Sequence, residues 1–196
     1  ITGSHDIVVD STLSGNEWNG VAIVAGSNDS VVVDSTLTDN GEGVIIVGSN
    51  DSVVNSTLSD NWVGVIIADS NDSVVVDSTL SDNHYYGIAL YGDSGTLVTG
   101  NIISNNDLCG LYMNGSRGDL IYNNLFNNTI NVCIESGYAR WNVSLRPGRN
   151  IVGGDVIGGN AWLSPNGTGF SQVTPASPSD PYICDEPYVI NANNTD

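Results

Sequence analysis

Branched apolar residues recur in this chain at fixed distances from serine and asparagine. The segment Ser27-Asn28-Asp29-Ser30-Val31-Val32-Val33-Asp34-Ser35-Thr36-Leu37 returns from Ser49 with one residue missing and from Ser70 with none. A looser copy starts at Ser4, and weaker ones at Ser94 and Ser116. Aligned copies give an apolar column of Val8, Val32, Val53, Val75, Val98 and Ile121, then a polar column of Ser11, Ser35, Ser56, Ser78, Asn101 and Asn124. Two residues further on, and so on the same face of a strand, come Leu13, Leu37, Leu58, Leu80, Ile103 and Phe126. A turn asparagine follows (Asn16, Asn40, Asn61, Asn83, Asn106), then a glycine and a second short apolar run such as Val44–Val47.

The copies start 21 to 24 residues apart. A period of that size means stacked units, none of which buries its apolar face alone. Each unit holds two or three strands of three to five residues, with no helical period in 1–137 and no proline before Pro147. Missing prolines fit strands whose N–H groups all donate to the next unit. The pattern predicts an all-β parallel β-helix of six to seven coils over 1–137, with coils starting near 4, 27, 49, 70, 94 and 116. Residues 138–196 lose the repeat, gain six prolines and carry Trp141, Trp162, Phe170, Tyr182 and Tyr188. They read as a last coil and an irregular C-terminal cap. The Leu-x-x-Leu-x-Leu spacing of leucine-rich repeats is absent, and a β-sandwich has no use for near-identical copies.

The serine and asparagine columns predict hydrogen-bonded ladders, with asparagine also suited to a left-handed turn. The aspartates predict stacked charge: Asp29 with Asp51 and Asp72, Asp39 with Asp60 and Asp82, and Asp10 with Asp34 and Asp77. Unit charges one strand apart, about 4.8 Å, repel by roughly 0.9 kcal/mol in water. The first two columns are therefore candidate cation sites, with calcium the oxygen-seeking candidate; no other cofactor is expected. Nine Asn-x-Ser/Thr sequons (Asn28, Asn50, Asn55, Asn71, Asn114, Asn127, Asn142, Asn166, Asn193) are candidate glycosylation sites. Asn28, Asn50 and Asn71 occupy one repeat position, which predicts a single column of glycans.

Charge then removes whole classes of partner. The chain has no lysine, four arginines and 22 acidic residues, a net charge of −18. Nucleic-acid binding, which needs phosphate neutralisation, is excluded, and no apolar run is long enough to insert in a membrane. Of Cys109, Cys133 and Cys184, the first two lie about one coil apart, the spacing of a disulfide between neighbouring coils.

No catalytic constellation emerges, and near-identical coils argue against one. The one local break is the turn His84-Tyr85-Tyr86. With Trp62 in the coil before it and Tyr91 and Tyr112 nearby, Tyr85 and Tyr86 suggest an aromatic strip able to stack on sugars.

From Gly100 onward the text resembles a known family. Gly100-Asn101-Ile102-Ile103-Ser104-Asn105-Asn106 and Leu120–Asn128 are similar to NosD-like right-handed β-helix repeats of secreted and surface proteins, abundant in methanogenic archaea. So, in order, are Asn150–Gly154, Gly158–Trp162, Gly167–Ser171 and Cys184–Ile190. The resemblance implies a right-handed helix in an extracellular or cell-surface setting. The family's founding role is in copper-centre maturation, which needs clustered soft ligands; here Met113, His5 and His84 lie far apart. Related β-helices include polysaccharide lyases and glycoside hydrolases, which would draw on the Asp carboxylates.

The chain starts in mid-coil, since Ile1-Thr2-Gly3 aligns with Ile46-Val47-Gly48. An open coil end is a template for another chain, so the expectation is a structural surface glycoprotein that assembles end to end with copies of itself. A carbohydrate-binding module is the alternative, and a carbohydrate-active enzyme a weaker one.

Overall fold

A computed structural model describes all residues, 1–196. It is a parallel β-helix whose strands form three long faces. The first face stacks Ile7–Val9, Val31–Val33, Ser52–Val54, Val74–Val76, Leu97–Thr99 and the second half of Cys109–Tyr122. The second stacks Thr12–Ser14, Thr36–Thr38, Thr57–Ser59, Thr79–Ser81, Ile102–Ser104, Leu125–Asn127 and Ala161–Leu163. The third stacks Asn19–Ile23, Glu42–Ile46, Val63–Ala68, Tyr86–Tyr91, the first half of Cys109–Tyr122 and Val132–Arg140. Cys109–Tyr122 joins the third face to the first, turning the corner at Gly115 and Gly118, whose φ angles are +83° and +75°.

Alternation within each short strand sends one apolar side chain inward per turn. Val32, Val53, Val75, Val98 and Ile121 line the first face, and Leu37, Leu58, Leu80, Ile103 and Phe126 the second; all are fully buried. The third face contributes two per coil: Val44 with Ile46, Val65 with Ile67, Ile88 with Leu90, and Leu111 with Met113. Each such side chain contributes roughly 1.5–3 kcal/mol on burial. The inward residues of the first and second faces keep one separation in every coil (Val32/Leu37, Val53/Leu58, Val75/Leu80, Val98/Ile103). Differences in coil length fall at the other two corners.

Both polar columns form ladders in the interior. Asn40 donates its backbone N–H and its Nδ2 to Asn61 Oδ1, each at 3.0 Å. Asn61 donates likewise to Asn83, Asn83 to Asn106 and Asn106 to Asn128. Ser35, Ser56, Ser78, Asn101 and Asn124 form the second ladder, which ends on Asn160.

The left-handed turn positions differ from expectation. The ladder asparagines are not the residues with positive φ. Those before them are: Asp39 (+56°), Asp60 (+57°), Asp82 (+57°) and Asn105 (+55°). Of fourteen non-glycine residues with positive φ, thirteen are Asp or Asn, spread over all three corners. Short polar side chains tolerate this region best after glycine, so the Asp columns have a backbone cause before any electrostatic one.

The register also corrects two columns. Val31 pairs with Ser52, so Asp51 lies opposite Ser30 and Ser73, not Asp29 and Asp72. Asn50 takes the left-handed place between Asp29 and Asp72, with φ +59°. Asp51 is fully buried and accepts the Ser30 N–H at 2.8 Å. The predicted sequon column breaks for the same reason: Asn28 and Asn71 share a position that Ser49 fills in the coil between them. The cause is the short third coil. A one-residue slip would turn Val53 out of the core, so the corner absorbs the deletion instead.

The repeat outlasts residue 137. Ala161–Leu163 adds a seventh strand to the second face after an excursion containing the antiparallel pair Arg146–Pro147 and Val156–Ile157. Trp162 stacks on Phe126 at 4.7 Å and 8°, then meets Trp141 at 5.8 Å and Tyr188 at 4.7 Å. Trp162 Nε1 donates to Asp196 and Trp141 Nε1 to Asn194, at 2.7 and 2.9 Å. These rings cover the end of the apolar core.

Candidate functional site

The sequence-predicted aromatic residues converge on the outer side of the third face. Trp62 lies 6.0 Å from Tyr85, Tyr85 is 6.3 Å from Tyr86, Tyr86 stacks on Tyr112 at 4.8 Å, and Tyr112 is 5.4 Å from Tyr91. The strip is continuous across coils three to five. Local sequence explains the assembly. The fourth coil has one more residue than the third between its second and third faces, and that turn carries His84 and Tyr85 above Asn61 and Trp62. Strand alternation points Tyr112 outward between the buried Leu111 and Met113. Its register partner is Ala89, a small residue between Tyr86 and Tyr91 in the same strand.

Trp62 is 60% exposed and Tyr85 47%, while Tyr86, Tyr91 and Tyr112 are half-buried. Trp18, 74% exposed in the first coil, stays outside the strip because Gly41 holds the equivalent turn of the second coil.

A polar edge borders the rings, and sequence reasoning missed its main member. Glu135 Oε2 accepts the Tyr112 hydroxyl proton and, at 3.0 Å, Asn114 Nδ2. Ser136 donates to Asn114 Oδ1 at 2.8 Å. Donation to Glu135, then burial, pushes the Tyr112 hydroxyl up to about 12. Burial first raises Tyr86 and Tyr91 as well. His84 Nδ1 lies 3.6 Å from Asp107 Oδ2, both exposed. The only hint of Glu135 in the sequence was its place one coil beyond Tyr112.

Cys109 and Cys133, predicted to pair, are free thiols, as is Cys184. In the strand register Cys133 stands opposite Tyr112. Burial, then a contact with Cys133, pushes the Cys109 thiol upward. Among the sequon residues, Asn50, Asn55, Asn71, Asn166 and Asn193 are exposed and Asn28, Asn114, Asn127 and Asn142 half-buried. Asn114 is held within the polar edge just described. Asp39, Asp60 and Asp82 do stack, all exposed. A separate cleft of about 740 Å³ lies between the tail and the last coil, lined by Trp162, Phe170, Pro187 and Tyr188 among others.

The molecule is thus a parallel β-helix protein with one ring-lined outer face. A family model described as "Periplasmic copper-binding protein (NosD)" matches residues 1–167, and the chain belongs to that family. Two solved Azotobacter vinelandii structures share the fold. The mannuronan C-5 epimerase AlgE6 A-module is 13% identical with TM-score 0.61, covering 70% of this chain and 39% of the module. The AlgE4 A-module is 16% identical with TM-score 0.57, covering 70% and 40%. The chain therefore spans about two-fifths of the length of the modules it matches. No curated protein matches it. No helix is long and apolar enough to cross a membrane.

The copper in the family's description does not fit this chain. Met113 is buried in the core, His5 and His84 lie three coils apart, and no three His, Cys, Asp or Glu side chains converge as ligands. A copper site needs such soft or imidazole donors gathered together.

Proposed function

We propose that this chain is an extracytoplasmic carbohydrate-binding β-helix whose third face holds a glycan against the rings of Trp62, Tyr85, Tyr86, Tyr91 and Tyr112. The observation that carries the reading is the continuous strip itself. Its rings span three coils, and Trp62 and Tyr85 leave much of their surface in water. Ring faces offer flat apolar area to the C–H faces of pyranoses, while hydroxyl and indole groups stay wet. A rigid sheet holds them in place before a ligand arrives, which lowers the ordering cost of binding. Asn114 and Glu135 supply directional polar contacts at the strip's edge. A protein of net charge −18 repels polyanions, so neutral or amino-sugar chains are favoured over polyuronates.

The epimerases show that this fold can carry sugar chemistry. Here Tyr86, Tyr91 and Tyr112 are shifted upward, away from the range in which a phenolate could act as a base near neutral pH. Binding without turnover is the better reading. A glycan array followed by calorimetry on the best ligand tests it. Trp62→Ala and Tyr112→Ala should each weaken binding about tenfold or more, as expected for an anchor ring, while the circular dichroism spectrum stays unchanged. Absence of any glycan ligand, or binding indifferent to both substitutions, refutes the reading.

A further inference from the structure

The corner between the third and first faces holds two inward-facing positions per coil. In the fourth coil these are Ser70 and Ser73, whose hydroxyls meet at 2.7 Å and satisfy each other. In the fifth coil the same positions are Asp93 and Thr96, and in the sixth Ser116 and Asp119. All four are buried, with Asp93 2% exposed and the others fully covered. The corners stack directly, since Ser94 bridges Arg117 and Thr96 N–H donates to Asp119 Oδ1 at 3.1 Å.

That bond leaves most of the corner unsatisfied. Both oxygens of Asp93, Oγ1 of Thr96, Oγ of Ser116 and Oδ2 of Asp119 are buried without a hydrogen-bond partner. The Thr96 and Ser116 hydroxyls are near enough to favour the Asp93 carboxylate, but neither reaches it with hydrogen-bonding geometry. Buried polar atoms are almost always paired. Five orphaned oxygens in one place call for a positive ligand.

We propose that Asp93, Thr96, Ser116 and Asp119 bind one calcium ion inside the solenoid wall. Two carboxylates match a divalent charge and leave the corner neutral. The set is all oxygen, which excludes soft metals, and it supplies five of the six to eight oxygens that calcium takes. The site is independent of the exposed Asp columns and of the glycan reading. Asp51, the other buried corner acid with an orphaned oxygen, is separated from it by the satisfied serine pair of coil four.

The test is equilibrium dialysis of the chelator-stripped full chain against radioactive calcium, at physiological salt and pH about 8, well above the ordinary carboxylate range, with thermal unfolding in parallel. One tight ion per chain is expected. Calcium at a hundred times its Kd should raise Tm by about 5–10 °C. Asp93→Asn with Asp119→Asn should abolish both effects, and Asp29→Asn with Asp72→Asn, exposed on the outer side of the same corner, should keep both. A wild-type chain with no tight ion and no calcium-dependent Tm overturns the proposal; the two acids then share a proton. Retention of the tight ion by the Asp93→Asn, Asp119→Asn protein also overturns it. If that protein fails to fold, Thr96→Val replaces it, with a weaker Kd expected and an unchanged one counting against the site.

Discussion

Replacing Asn83 by alanine isolates what one rung of the interior ladder is worth. Asn83 Oδ1 accepts two bonds, from Asn61 N–H at 3.1 Å and Asn61 Nδ2 at 3.2 Å. Its Nδ2 donates to Leu58 O at 3.2 Å and to Asn106 Oδ1 at 2.9 Å. Asn106 Oδ1 keeps the Asn83 backbone N–H after the substitution. The two Asn61 donors lose their acceptor in a place water cannot enter, since Asn61 and Asn83 are both fully buried. Each stranded buried group costs about 1–3 kcal/mol, so Asn83→Ala should destabilise by about 4 kcal/mol. That is a large part of a typical stability of about 5–15 kcal/mol. Asn16, exposed at the first coil, makes the same type of bonds to Asn40. Asn16→Ala should cost about 1 kcal/mol or less, because water replaces what is lost. Urea unfolding followed by circular dichroism measures both. A loss below about 1 kcal/mol for Asn83→Ala, or equal losses at the two positions, would refute the claim that the ladder is held by buried amides.

Two further outcomes follow from geometry and burial. Asp60→Val should destabilise by about 1–2 kcal/mol because Asp60 holds φ +57°. Asp60→Gly should fall within about 0.5 kcal/mol of wild type in the same urea assay, whereas an equal cost for both would point to the lost charge. In the calcium-free protein, burial raises Asp119 to about 7, with help from the Asp93 charge, and Asp196 to about 6. A raised carboxyl binds more protons folded than unfolded, so its stabilisation is complete below pH about 4 and fades as pH rises toward 7. Chelated protein should therefore melt higher at pH 5 than at pH 8, and scanning calorimetry showing the reverse order would contradict the assignment.

Most of the solenoid could be read from text because its columns repeat. Val32, Leu37, Ser35 and Asn40 each recur with the same chemistry, and a strand buried on one side has few alternatives. The mistakes came where repetition itself misleads. Ser49-Asn50-Asp51-Ser52 copies Ser27–Ser30 letter for letter, so sequence alignment places Asp51 on Asp29. The core has no such preference: Val53 must stay inside, and that moves Asp51 inward. Asp and Asn both suit the left-handed region, so the text does not decide between Asp39 and Asn40, and the structure places it on Asp39. The aromatic strip was visible as a cluster of unusual residues at the one turn that breaks the pattern. Glu135 was not, since it lies past the last clear repeat and depends on a bulged register between Cys109–Tyr122 and Val132–Arg140. The corner acids Asp93 and Asp119 looked like two more negative charges in an acidic chain, and only their burial separates them from the rest.

The constant separation between the inward residues of the first and second faces has a consequence for how such a chain changes over generations. That corner acts as an indexing notch, against which each newly duplicated coil is aligned. The other two corners can gain or lose a residue without disturbing it. Innovation is thus channelled: the turn rings Trp62 and Tyr85 and the acids of the neighbouring corner both lie where coil length varies. A lineage can rewrite those margins coil by coil while the spine is copied unchanged.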